Sequence, residues 1–157
     1  MQKKKEEIRN SFIPKAVLIP LTNEAKLSIS TIQNDKELIP ITTFPFKVGR
    51  ESRMGESDRG LFIKLRIMTN HLKPNNDIYL IDNKDTLEVS KEHFEIENKK
   101  NNFFIKDRNS TMGTKLNNLE IGKEKSKDVH ILKDGDIIKI GSSHSKYEFQ
   151  FLVLNDI

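Results

Sequence analysis

The residues best able to do chemistry are few and scattered. Four histidines, His71, His93, His130 and His144, stand far apart and form neither H-x-x-x-H nor H-E-x-x-H. That spacing argues against zinc. There is no cysteine, which excludes disulfides, thiolate metal sites, iron–sulfur clusters and a thiol nucleophile. No G-x-S-x-G elbow presents a serine for attack, and no G-x-x-x-x-G-K-[ST] loop cradles a nucleotide. Asp134-Gly135-Asp136 is reminiscent of a calcium loop, but Ser145 stands where that pattern requires a glutamate, so a strand-joining turn fits better. No enzymatic activity, metal or cofactor is therefore expected. What remains is a set of short polar clusters, each beside an apolar run: Gly49-Arg50, Ser90-Lys91-Glu92-His93, Asp107 to Thr114, and Leu132 to Gly141.

The elements that would position these clusters read as strands. Ala16 to Ile19, Leu27 to Ile32 and Phe44 to Val48 are short apolar runs bounded by Pro14, Pro20, Asn23, Pro40, Pro45 and Gly49. Ile63, Leu65 and Ile67 alternate with Lys64 and Arg66, and Phe94 and Ile96 alternate with Glu95 and Glu97. Ile78 to Ile81, Phe103 to Ile105, Ile137 to Ile140 and the series Phe149, Phe151, Val153 complete the pattern. Asn75-Asn76, Asn101-Asn102, Asn117-Asn118 and Asp134-Gly135 mark turns, since Asn and Gly tolerate left-handed backbone. Many short strands without a long amphipathic helix predict an all-β sandwich.

A chain of 157 residues can bury a substantial core as one domain. Hydrophobic residues make up 35% and charged residues 32%, yet the apolar ones cluster in periodic runs, so disorder throughout is not expected. The net charge of +4 accumulates in small steps. Residues 1–10, 11–50 and 51–75 each carry a surplus of two positive charges, whereas 76–157 hold 13 basic and 15 acidic side chains. No dense basic stripe with interleaved aromatics is present, so nucleic-acid binding has little support. No apolar stretch is long enough to span a membrane, and the N-terminus lacks the apolar core of a secretory signal. A soluble, cytoplasmic protein is the expectation.

In order and character the four clusters resemble a forkhead-associated (FHA) domain, whose pattern is G-R, S-x-x-H, D-x-x-S-x-N-G-T, N-G and L-x-x-G-D-x-I-x-I-G. The resemblance runs from about residue 44 to 153. It implies an FHA-like antiparallel β-sandwich (the SMAD/FHA type) over 15–157, preceded by a charged N-terminal tail, 1–14, or a ragged helical start. It implies a module that binds phosphothreonine-containing proteins, acting as an adaptor with a Ser/Thr protein kinase or its substrates. Arg50, Ser90, Lys91, Thr111 and Met112 then fall at phosphopeptide-binding positions. Gly49, His93, Asp107, Asn109 and Gly113 fall at positions that support the loops, as do Asp136 and Gly141 at strand ends. The residue types suit that role. Phosphate is a dianion with three acceptor oxygens, Arg offers a planar charged fork, and Ser a short hydroxyl donor. Read alone, Arg50 is a strand-end charge and Ser90 a turn residue bonding its own backbone; the four clusters together favour phosphate.

Three departures stand out. Met112 occupies the position of the family's Asn, a peptide-backbone partner, and Met is only a weak acceptor. Its presence favours a turn with positive φ at Gly113 alone. Asn118 replaces a Gly after Asn117, a mild change. Thirty-nine residues separate Arg50 from Ser90, implying an insertion at about 51–75, after the third core strand. Its alternating Leu61–Met68 stretch is expected to form a hairpin arm that either extends the recognition surface or docks a partner. Loss of phosphate reading, leaving an FHA-like scaffold or oligomerisation module, is the alternative these departures raise. Ser11, Thr22, Thr42 and Thr43 are candidate phosphosites for self-association.

Overall fold

The computed structural model describes residues 1–30, 37–52, 54–57, 59–63, 75–122 and 129–154. Thirteen strands and two helices lie among them. One sheet holds six strands in the order β10 (Leu119–Glu120), β9 (Thr114–Leu116), β12 (Ile137–Ile140), β13 (Glu148–Val153), β1 (Ala16–Pro20) and β2 (Ile39–Ile41). The other holds β11 (Val129–Leu132), β8 (Asn102–Asp107), β7 (Phe94–Lys99), β3 (Phe46–Arg50) and β6 (Ile78–Leu80). Alternation along each strand sends one face inward. Leu18, Ile138, Ile140, Phe149 and Phe151 from the first sheet meet Val48, Phe94, Ile96 and Ile105 from the second in a single buried core. Phe103 stacks edge-on against Phe151 at 5.2 Å between ring centroids, a geometry that favours aromatic pairs.

The sandwich departs from the expected antiparallel arrangement at one pair. Strands β3 and β6 run parallel, with Val48 opposite Ile78 and Arg50 opposite Leu80. Parallel neighbours need a long crossover, and residues 51–75 supply it. Inside that crossover, β4 (Met54–Ser57) and β5 (Gly60–Ile63) pair antiparallel. The expected arm is thus a hairpin in which Leu61 to Ile63 belong to the second strand; residues 64–74 lie outside the described residues.

Two segments are helical. The charged N-terminal stretch forms α1 (Gln2–Phe12), none of whose residues is buried. Lys, Glu and Arg are good helix formers, no breaker interrupts them, and the residue before Pro14 is extended, as proline requires of its predecessor. The second, α2 (Asn23–Ser28), takes in Leu27 and Ser28, where the Leu27 to Ile32 run was expected to be a strand; residues 31 and 32 of that run lie outside the described residues. Thr22 caps it, its hydroxyl accepting from the Ala25 N–H at 3.1 Å and donating to the Lys146 carbonyl. Such a cap satisfies an otherwise unpaired helix N–H. Among the described residues no helix is long and apolar enough to cross a membrane.

Candidate functional site

One end of the sandwich gathers the loops that follow β3, precede β7 and follow β8. Gly49 allows the first two to meet. A Cβ there would lie 2.1 Å from the Lys91 carbonyl oxygen and 2.5 Å from Asn76 Nδ2, so any side chain would force the loops apart. The Arg50 N–H donates to the Ser90 carbonyl at 2.9 Å, placing Arg50 and Ser90 side by side although they lie far apart in the chain.

His93 holds the serine loop to the Asp107–Thr114 loop. Its Nδ1 accepts from the Ser90 N–H at 2.9 Å, so that nitrogen carries no proton. Its Nε2, 2.8 Å from the Gly113 carbonyl, is therefore the protonated nitrogen and donates. Both contacts require the neutral imidazole. The ring is fully buried, and burial pushes its pKa below the ordinary value, against the raising effect of the Gly113 carbonyl and the Asp107, Glu88 and Asp82 carboxylates. The ring thus links the two loops with both of its nitrogens engaged.

Asp107 organises the loop beyond β8. Its carboxylate accepts from the Ser110 N–H at 2.9 Å and from the Ser110 and Thr114 hydroxyls at 2.6 Å each. The Ser110 hydroxyl oxygen in turn accepts from the Gly113 N–H at 3.0 Å. Asn109 takes a left-handed φ of 58° and Gly113 one of 84°, whereas Met112 does not. Positive φ therefore falls on residues that tolerate it, and methionine at 112 imposes no backbone strain. The knot lifts Thr111 to the rim, where its N–H donates to Ser90 Oγ at 2.9 Å.

These loops enclose a groove of about 470 Å³ lined by Arg50, Ser90, Lys91 and Thr111, together with Leu87, Val89, Glu92, Arg108 and Asn109. Met112 is half-buried on the same loop but does not line the groove. Arg50 Nε is buried and finds no partner among the described residues. Lys91 is exposed. Ser90 Oγ accepts from Thr111, which leaves its proton to donate outward. The groove therefore presents a guanidinium, an ammonium and a hydroxyl proton to one small space, a donor set suited to an anion.

A match to the family model described as "FHA domain" spans residues 46–141, more than half of the chain. The chain belongs to the FHA family. No curated protein sequence matches it. Among solved structures it is similar to an FHA domain of a hypothetical protein from Arabidopsis thaliana, with a TM-score of 0.53 and 19% identity, covering 92% of this chain and 90% of that one. It is also similar to the MEK1 FHA domain in complex with a HOP1 phosphothreonine peptide, with a TM-score of 0.51 and 17% identity over 91% of this chain and all of that one. A third, the N-terminal FHA domain of Rad53p from S. cerevisiae with a phosphothreonine peptide, gives 0.52 and 14% over 88% and 93% of the two chains. At these identities the likeness is one of fold. FHA domains are phosphothreonine-peptide-binding modules.

Several supports of this FHA site escape sequence reading. Asp82 is buried at 4% exposure. It accepts from the Glu88 and Val89 N–H groups at 2.8 and 3.0 Å and from the Tyr147 hydroxyl at 3.0 Å. Burial, with the Asp82 carboxylate beside it, pushes the Tyr147 phenol well above its ordinary pKa. Glu88 accepts from the Ser142 N–H and hydroxyl at 2.7 and 2.8 Å. Arg108 bonds Asn75, Asn76 and Glu92. No spacing rule points from Asp82 sixty-five residues ahead to Tyr147.

Proposed function

We propose that this FHA domain reads phosphothreonine in a partner protein, holding the phosphate with Arg50, the Ser90 hydroxyl and Lys91, and the adjacent peptide with Thr111 and its neighbours. The observation that carries this reading is the groove that Arg50 lines together with Ser90, Lys91 and Thr111. A guanidinium, an ammonium and a hydroxyl beside one another can give a phosphate charge-assisted bonds. The half of the chain around Ser90 and Thr111 is net negative, so capture depends on these local donors and not on a general positive field. The module performs no chemistry and serves as an adaptor downstream of a Ser/Thr kinase.

Binding to a degenerate phosphothreonine peptide pool, beside phosphoserine and unphosphorylated pools, tests this. Phosphothreonine alone is expected to bind, and Arg50→Ala to abolish it. Equal binding of all three pools would refute the reading. Met112 favours a second reading, a scaffold that has lost phosphate recognition. Met112→Asn distinguishes them: in a working reader it is expected to tighten phosphopeptide binding severalfold by adding about one hydrogen bond, whereas a lost site gains nothing.

A further inference from the structure

An anion groove should not expose a carboxylate, yet Glu92 lines this one. Its side chain is 45% exposed, and Arg108, whose side chain is 13% exposed, lies against it with Nη2 3.0 Å from Glu92 Oε1. The same guanidinium donates from Nη1 to Asn76 Oδ1 at 2.6 Å and from Nη2 to the Asn75 carbonyl at 2.9 Å. Two further bonds close the cluster. The Asn75 N–H donates to Glu92 Oε1 at 3.1 Å, and Asn76 Nδ2 donates to the Lys91 carbonyl at 2.7 Å. Arg108 thus has its charge matched by Glu92 and three of its N–H donors engaged, whereas Arg50 Nε finds no partner among the described residues.

Resting on the phosphate reading above, we propose that Arg108 is a positioning and charge-balancing residue of the groove. It neutralises Glu92 beside the phosphate site, and it ties the end of the 51–75 insertion, at Asn75 and Asn76, to the Ser90–Lys91 loop. The insertion is then fastened to the binding end at both feet: it departs after Arg50 and returns through a clasp that grips the next residue after Ser90. A planar fork with several donors suits this task, because one ammonium cannot face three acceptors in the same geometry.

Removal of Arg108 leaves Glu92 as an uncompensated negative charge facing a dianion. Arg108→Ala is therefore expected to weaken phosphothreonine-peptide binding roughly tenfold, the scale of one charge-assisted contact. Arg108→Lys keeps the charge but not the fork and should fall between. The deciding variant is Arg108→Ala with Glu92→Gln, which removes the stranded charge and should recover part of the lost affinity. A role limited to holding the loop predicts no recovery and overturns the charge-balancing claim. The positioning claim is read without any ligand, from hydrogen exchange of the Ser90 and Thr111 amides. Arg108→Ala should speed both, and unchanged exchange would overturn it. If the wild-type protein binds no phosphothreonine peptide, the phosphate reading and with it the charge-balancing claim fail, while the exchange result still decides whether the clasp holds the loop.

Discussion

Two buried aspartates, Asp107 and Asp82, brace the two loops that meet at the groove, and they do so at different ranges. Asp107 closes a knot within seven residues of itself, taking Ser110 and Thr114. Asp82 takes three amides of its own loop, from Lys84, Glu88 and Val89, and then a hydroxyl from Tyr147 on another part of the chain. Each is nearly sealed from water, at 1% and 4% exposure, and each accepts three bonds below 3.1 Å. A local knot can form as soon as its short segment is compact, since closing a few residues costs little entropy. The long strap can close only when the sandwich is assembled. The first loop thus owes its shape to its own sequence, and the serine loop owes its shape to the whole fold.

Removal of the local knot should do the most damage. Asp107→Ala strands the Ser110 amide and two hydroxyls in a buried site, and a loss of about 4 kcal/mol is expected from urea unfolding. Asp82→Ala should cost about 3 kcal/mol, because the freed Tyr147 hydroxyl and three amides can regain some contact with water by local opening. The reversed order would mean that the long strap, and not the knot, carries the binding end. A loss below about 1 kcal/mol at either position would show that water replaces the carboxylate and that the comparison is wrong.

What could be read from the sequence follows the same division. The Asp107 to Thr114 cluster is local, and the family pattern it resembles marks Asp107, Asn109 and Gly113 as loop supports, whereas the bonds of the knot through Ser110 and Thr114 are visible only in the structure. The left-handed backbone at Asn109 and Gly113 suits their types. Strands β7 and β13 followed from period-two series, and β3, β8 and β12 from short apolar runs between turn residues. The parallel pairing of β3 with β6 did not, because nothing in two short apolar runs encodes relative direction; the length of the insertion was the only clue. Helix α2 was lost to the apolar Leu27 to Ile32 run, although Thr22 and Glu24 carried a capping signal. Asp82, Glu88, Arg108 and Tyr147 were missed because their partners lie as far as 65 residues away, and a polar residue reveals its role only when the partner is known.

His93 joins the knot to the strap, since it accepts from Ser90 on one side and donates to Gly113 on the other. Its pKa lies below the ordinary value of about 6.5 through burial. The unfolded chain therefore binds this proton more readily than the folded one, between the depressed pKa and about 6.5. Stability rises with pH across that window and is fully present above it; it falls on acidification, by at most about 1.4 kcal/mol per pH unit. Protonation would also cost the Nδ1 lone pair its bond to Ser90. Urea unfolding from pH 8 to 5, with the imidazole resonances followed by NMR, checks this. A ring that titrates at the ordinary value, or carries its proton on Nδ1, would remove His93 as the link.

The smallest expected effect is the most informative about independence. Tyr147→Phe deletes only the hydroxyl that reaches Asp82, leaving the ring in the core and the carboxylate with its three amides. The loss should be about 1 kcal/mol, the net value of one such bond. Its reach is the question. If the strap acts only on its own loop, hydrogen exchange should quicken at the Glu88 and Val89 amides, which Asp82 holds directly, and stay unchanged at Gly113, which Ser110 holds within the knot. If the Gly113 amide quickens as well, the two braces are coupled. The path for such coupling runs from Val89 to Ser90, through the His93 ring, to the Gly113 carbonyl. In that case a single hydroxyl at residue 147 would tune the far loop of the groove, and the local knot would no longer count as self-sufficient.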